Sequence, residues 1–162
     1  MEGLVPLVPY LIFLHVLAAI VAFGPTFAFS FVGAMGRQEP QHANFGARVS
    51  KTIASRLVYP IGITLPITGL AMMAILEINP LERSHWWLGI AIVLYIVAYG
   101  YSFFVQRPLV GRVIELSSAP PAPGQGPPPE LPALGKRIGQ GGMATGVLLV
   151  IIIFLMVVKP QF

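Results

Sequence analysis

The histidine at position 15 is the residue of this chain whose type and location could support chemistry. It lies in an apolar stretch that starts near residue 7, about eight residues or roughly 12 Å further along a helix. His42 and His85 lie outside the apolar stretches. An ionisable side chain inside a membrane is costly and is therefore a candidate for function. Three interpretations are open: a neutral histidine bonded to a Tyr, Ser or Thr of a neighbouring helix, a haem or metal ligand, and a proton carrier.

Thioether and imidazole side chains are the candidate partners of His15. Met73 and Met156 are predicted in the same half of the bundle, and His85 at its outer mouth. Imidazole and thioether are axial ligands of haem and also bind Cu(I). Methionine in an apolar helix is more often a packing residue, and His85 beside two tryptophans also fits an interfacial position. The candidate metal ligands are thus His15, His85, Met73 and Met156.

Several catalytic classes have no matching residues. The chain has no cysteine, which excludes disulfides, thiolate metal sites and cysteine nucleophiles. It contains no HExxH, GxSxG or phosphate-loop motif. No acidic residue lies at the centre of an apolar stretch, so a carboxylate proton relay is not expected. Whether the protein is an enzyme stays open.

Four apolar stretches position these residues. The chain is 56% hydrophobic and 10% charged, whereas soluble domains are about 25% charged. Each stretch can cross a hydrocarbon core of about 30 Å, which needs roughly 20 helical residues. Lipid does not tolerate unpaired backbone groups, so the stretches are helices. The prediction is an all-α integral membrane protein with a single domain over 1–162. The domain forms an antiparallel four-transmembrane-helix bundle. Its helices are predicted at about 7–35, 53–76, 86–107 and 138–158.

Lysine and arginine are distributed unevenly between the two ends of the bundle. Eight flank the first–second and third–fourth connections: Arg37, Arg48, Lys51, Arg56, Arg107, Arg112, Lys136 and Arg137. Arg83 and Lys159 lie at the other end. This bias predicts a multi-pass protein of the cytoplasmic (inner) membrane with the N- and C-termini outside. The net charge of +4 accordingly indicates contact with the lipid bilayer and no nucleic-acid partner.

The inner end carries two further features. Arg56, Arg107 and Arg137 are interpreted as residues that orient the chain and contact lipid phosphate, or as a basic rim for porphyrin propionates. The second interpretation requires an inner site that is distant from His15. The proline-rich segment 117–134 is predicted to be an irregular cytoplasmic loop.

Each predicted helix has a stripe of small or polar residues. The four stripes are His15, Ala18, Ala19, Ala22 and Thr26; Ser55, Tyr59, Gly62, Pro66, Gly69 and Met73; Tyr95, Tyr99, Ser102 and Gln106; and Gly135, Gly139, Gly142, Gly146, Ile153 and Met156. Ordinary helix packing accounts for such stripes, and so does room for a bulky ligand. In the second case Tyr95 and Tyr99 are candidate cofactor contacts. A homodimer through the glycine-rich faces and a monomer that packs them internally fit equally well.

Two motifs resemble a known superfamily. The first helix reads LHVLAAIVAFGPTF and the chain ends in FLMVVKP. This combination resembles small membrane proteins that include the HemJ-type protoporphyrinogen oxidases, the copper-resistance D-type domain and a family of integral membrane proteins of unknown function, the last being the most similar in size and ending. The resemblance to HemJ-type proteins implies haem b with His15 as a ligand. Those proteins have a "WIGG" motif where this chain has Phe23, Gly24 and Pro25, and an acidic "NE" where it has Gly141 and Gly142, so haem or metal binding is implied more strongly than the oxidase reaction.

The leading hypothesis is therefore a small b-type haem protein of the membrane with a redox or electron-transfer role. His15 would be one axial ligand, and Met73, His85 or a residue of a second protomer the other. The alternatives are a copper-handling membrane protein and a non-catalytic accessory subunit of a membrane complex, the latter with no cofactor.

Overall fold

The computed structural model describes residues 2–118 and 128–160, and their regular structure is helical throughout. The helices are α1 Val8–Gln38, α2 Ala43–Ile53, α3 Tyr59–Ile75, α4 Trp86–Tyr101, α5 Arg107–Leu116 and α6 Glu130–Val158. Two π-helical turns, Ala54–Val58 and Ser102–Gln106, join α2 to α3 and α4 to α5 without interruption. Four continuous helices are long and apolar enough to cross a membrane. The predicted all-α class with four spans is confirmed.

The helices extend further at the basic end than the apolar stretches indicated. The second begins at Ala43 rather than 53, the third ends at Leu116 rather than 107, and the fourth begins at Glu130 rather than 138. The added segments α2 and α5 are amphipathic and pack against each other, and α2 also packs on α1. Residues 130–134 are helical, so the prediction of an irregular loop over 117–134 is wrong for this part. Residues 119–127 of that segment lie outside the described residues.

Each π-helical turn ends shortly before a proline. Pro60 and Pro108 are the second residues after the two turns. Proline has no N–H, and its ring collides with the carbonyl four residues earlier in a regular α-helix. In both turns the preceding residue bonds five residues back: the N–H of Tyr59 donates to Ala54, and that of Arg107 to Ser102. The wider turn accommodates the proline while the helix continues.

Two apolar clusters hold the bundle together. The larger joins α4 to α6 and consists of Trp87, Leu88, Ala91, Leu149, Ile152 and Leu155. The smaller joins α1 to α3 through Ala18, Ala22 and Leu65. Small side chains let these helices approach closely, since packing rather than water exclusion drives association in lipid. Large apolar residues such as Phe31 and Phe104 are exposed, as a lipid-facing surface requires.

The predicted inward face agrees with the structure for the first helix and in part for the fourth. His15, Ala18, Ala19, Ala22 and Thr26 are all buried or half-buried. On α6 the predicted Gly135, Gly142, Gly146 and Met156 are half-buried, whereas Gly139 and Ile153 are exposed. The most buried residues of α6 are Gly141, Thr145, Leu149, Ile152 and Leu155. A stripe of glycines marks where a helix can approach a neighbour, but here the long apolar side chains next to it supply the buried area.

Candidate functional site

His15 forms a hydrogen bond with a threonine on the antiparallel neighbour of its helix. Its Nδ1 lies 2.8 Å from Oγ1 of Thr68 on α3. The Thr68 hydroxyl has backbone carbonyl acceptors at Thr64, 2.8 Å away, and Leu65, 3.1 Å away. Its single proton is directed to these carbonyls, so its lone pair accepts from Nδ1–H of His15. This assignment rests on the hydrogen-bond partners and leaves Nε2 of a neutral imidazole with a free lone pair.

Gly69 on α3 lies beside the imidazole ring. A Cβ at Gly69 would lie 3.6 Å from Cε1 of His15, which is ordinary van der Waals contact, so the ring does not require a glycine there. The ring is half-buried at the junction of α1 and α3. The predicted hydrogen bond of a core histidine to a neighbouring threonine is thus present, and it uses one ring nitrogen.

The other predicted ligands lie in two different places. Met73 and Met156 are half-buried and both pack against the α4–α6 cluster. His85 lies in a 3₁₀ turn before α4, where its Nδ1 is 3.1 Å from Oγ of Ser84 and 3.6 Å from Oε2 of Glu82. Over residues 2–118 and 128–160, no three His, Cys, Asp or Glu side chains are grouped to hold a metal ion. A metal at His15 would therefore depend on thioethers or on groups outside the chain.

Tyr95 and Tyr99 form hydrogen bonds that the sequence did not predict. Their rings are stacked with centroids 5.7 Å apart. The Tyr95 hydroxyl donates to the carbonyl of Gly62 at 2.7 Å, and that of Tyr99 to the carbonyl of Tyr59 at 3.0 Å. The Gly62 carbonyl has a proline, Pro66, four residues later, so it has no helical N–H donor. The tyrosine hydroxyl replaces that donor, which gives Tyr95 a structural role independent of any cofactor.

A small cavity lies in the middle of the bundle. Its volume is about 30 Å³, and its walls include Ala22, Gly62, Tyr95, Tyr99, Ser102 and Thr145. This volume admits about one or two water molecules, whereas pockets for larger organic ligands measure roughly 300–1,000 Å³. His15 is not among the lining residues. A porphyrin does not fit in this cavity.

A second cavity opens at the basic end of the bundle, and we call it the basic-end cavity. Its volume is about 60 Å³, and it is lined by Phe29, Lys51, Ala54, Ser55, Tyr59, Ser102, Gln106, Arg107 and Val110. The sequence analysis did not predict this cavity. The cavity has no local signal in the sequence, because Lys51 and Arg107 lie on different helices far apart in the chain.

The chain matches one family over nearly its whole length. The model of a family described as predicted integral membrane protein (DUF2269) covers residues 9–160. No curated protein matches the chain. No solved structure matches it either.

Proposed function

The chain belongs to this family of integral membrane proteins, and on that premise we propose that it binds haem b through His15 and has a redox or electron-transfer role. The hydrogen bond between Nδ1 of His15 and Oγ1 of Thr68 carries the proposal. A histidine that ligates a metal usually donates its other ring N–H to an oxygen acceptor, which fixes the tautomer and the ring orientation. His15 has that arrangement, with Nε2 available as the ligand atom.

These residues provide a suitable donor atom for haem, but the mid-bundle cavity does not provide enough space for it. The Nε2 lone pair of His15 suits haem iron. The mid-bundle cavity does not admit a porphyrin, so the ring would contact the partly exposed edge of the imidazole from outside the helix interior. When bound, the haem supplies one-electron chemistry. Met73, His85 or a residue of a second protomer would provide the second axial ligand.

An absorption spectrum of the purified protein tests the haem proposal. We expect a Soret band in the wild type that is lost in His15→Ala. Thr68→Val keeps the side-chain shape and removes the acceptor, so haem affinity should fall about 10- to 100-fold. Thr64→Val is the matched control, because the exposed Thr64 hydroxyl bonds only the carbonyl of Ile61. A wild-type sample that shows no Soret band even after haem is added would refute the proposal.

Copper is the second candidate, favoured by the two methionines. Met73 and Met156 pack on the same apolar cluster, and a bare ion needs far less space than a porphyrin. Cu(I) accepts thioether and imidazole ligands. In a Cu(I) competition titration, Met73→Leu and Met156→Leu should each weaken binding. Met143→Leu on the same helix α6 is the control, because Met143 is 72% exposed. Equal affinities in all three variants would exclude these ligands.

We also infer the membrane orientation and keep an accessory role as the remaining alternative. The eight-to-two distribution of Lys and Arg supports the cytoplasmic membrane, with the basic end inside and both termini outside. A protein that carries neither haem nor copper and copurifies with a membrane complex would be an accessory subunit. A homodimer stays a prediction, although Gly141, Gly142 and Gly146 already face side chains of the same chain.

A further inference from the structure

The basic-end cavity lies between the two π-helical turns. Ala54 and Ser55 belong to the first turn, and Ser102 and Gln106 to the second. The widened turns follow from Pro60 and Pro108, as described above. The same local distortion occurs on two antiparallel helices at one level of the bundle, and the space it borders is about 60 Å³. This volume is several times the minimum for one water molecule and suits a small polar group rather than a whole nucleotide.

Among the residues that the structure describes, the cavity lining has two cations and no carboxylate. Lys51 lies on α2, and Arg107 begins α5. Elsewhere in the described ranges, the ion pairs join Glu39 to His42, Glu82 to His85, and Glu115 and Glu130 to Arg112. None of these pairs includes Lys51 or Arg107. Both side chains are exposed at the rim of the cavity, beside its apolar lining residues Phe29, Ala54 and Val110, and are free to approach an anion that enters it.

Aromatic contacts hold Arg107 in position. Its guanidinium carbon lies 4.9 Å from the centre of the Phe103 ring. Phe103 in turn packs edge-on against Tyr59, with centroids 5.3 Å apart, and the Tyr59 hydroxyl donates to the carbonyl of Ser102 at 3.1 Å. A guanidinium that is already oriented loses little freedom when it binds an oxyanion. Arginine in this state favours the planar, two-point contact that phosphate oxygens offer.

We infer that the basic-end cavity binds the phosphate of an anionic phospholipid headgroup. The cavity lining combines Lys51 and Arg107 with apolar side chains, and Phe104, whose ring contacts Phe103, is 76% exposed. Basic pockets between membrane-spanning helices recognise anionic headgroups by this combination of charge and apolar contact. The site is distinct from His15 and does not depend on the proposed function.

Lipid titration of the full chain in detergent, read by native mass spectrometry, tests the inference. We expect the wild type to bind phosphatidylglycerol in preference to phosphatidylcholine. Lys51→Gln/Arg107→Gln should weaken phosphatidylglycerol binding about 30-fold, from the contribution of two cations near a lipid surface. Arg48→Gln/Lys136→Gln removes the same charge from positions that do not line the cavity and should change binding less than about 3-fold.

Three results would overturn the inference. Equal weakening in both double variants would indicate a diffuse charge effect. Binding of inorganic phosphate alone, with displacement of the lipid at the same concentration, would indicate a free-anion site. Equal affinity for both lipids would indicate no headgroup recognition.

Lys51→Arg/Arg107→Lys keeps both charges and should bind within a few-fold of the wild type, which separates loss of charge from loss of fold. The haem spectrum of the double glutamine variant serves as a separate readout for His15.

Discussion

The tautomer of His15 in its hydrogen bond with Thr68 can be measured directly. The Thr68 hydroxyl lies within hydrogen-bond distance of two carbonyls of its own helix, so we assign His15 as the donor in the bond between them. We predict that ¹⁵N spectra of histidine-labelled protein, without added metal or haem, show His15 as the neutral Nδ1–H tautomer. The Nε2–H tautomer would contradict the assignment and remove the main support for a metal ligand. Thr68→Val should change this signal, whereas those of His42 and His85 should stay constant.

Gly141 is the glycine of α6 whose replacement should cost most. A Cβ at this position would collide with the hydroxyl and ring of Tyr101, which is itself half-buried. We expect Gly141→Ala to destabilise the protein by about 1–3 kcal/mol in detergent unfolding experiments. Gly135→Ala is the control, because nothing lies within 4 Å of a Cβ there, and alanine in a helix should add about 0.5–1 kcal/mol. Equal effects of the two variants would contradict this close approach.

At these residues the sequence predicted the type of contact but not the partner. The depth of His15 and the small residues on its face indicated an inward imidazole, and its bond to Tyr, Ser or Thr was one of three interpretations beside a haem or metal ligand and a proton carrier. The identity of Thr68 depends on how far α1 and α3 are shifted along each other, and neither helix pattern contains that shift. Glycine spacing likewise indicated that α6 packs closely without revealing that Gly141, outside the predicted stripe, meets Tyr101.

Among the elements, α3 depends on α4 for one of its backbone hydrogen bonds. The Gly62 carbonyl, deprived of a donor by Pro66, accepts from the Tyr95 hydroxyl. We predict that Tyr95→Phe lowers the free energy of unfolding by about 1–2 kcal/mol, because the carbonyl is left unpaired in an apolar environment. In a Pro66→Ala background, the new N–H at position 66 should satisfy the carbonyl, and the same substitution should cost less than about 0.5 kcal/mol.

Tyr99→Phe is the matched control for that double-mutant cycle. Its acceptor, the Tyr59 carbonyl, has an ordinary residue, Ile63, four positions later and so retains a helical donor. Tyr99→Phe should therefore lower the free energy of unfolding by less than Tyr95→Phe does, and by the same amount with Pro66 or with alanine at that position. If Tyr95→Phe cost the same in both backgrounds, the tyrosine would contribute through ring packing rather than through the hydrogen bond.

The ends of the elements were harder to predict than their existence. Apolar runs identified all four spans because lipid selects such runs directly. The segments α2 and α5 instead carry alternating charged and apolar residues, ANFGARVSKTI and RPLVGRVIEL. They pack against each other, and Asn44 Nδ2 donates to the carbonyl of Ile114 at 3.0 Å. Such a contact joins residues far apart in the chain and has no local signal.

At the scale of the whole molecule, the two ends of the bundle differ in charge and in structure. The basic end contains the extended helices, the π-helical turns and the cavity lined by Lys51 and Arg107. The opposite end has His15 about two turns below the start of α1 and the short turn that carries His85. A ligand at one end would therefore be bound independently of a ligand at the other. If the basic end faces the cytoplasm, the anionic inner lipids lie next to the basic-end cavity.

Cysteine labelling can establish this orientation, since the chain has no cysteine of its own. Leu81 lies in the loop between α3 and α4 and is 90% exposed, and Ser118 is exposed at the basic end. We predict that Leu81→Cys reacts with a membrane-impermeant maleimide in intact cells, with the outer membrane permeabilised where one is present. Ser118→Cys should react only after the cytoplasmic membrane is opened, because the eight Lys and Arg at that end favour the cytoplasmic side. The reverse pattern would place the termini in the cytoplasm and turn the basic-end cavity away from the inner leaflet. It would then contradict the positive-inside assignment while leaving the helix packing and the bond between His15 and Thr68 unaffected.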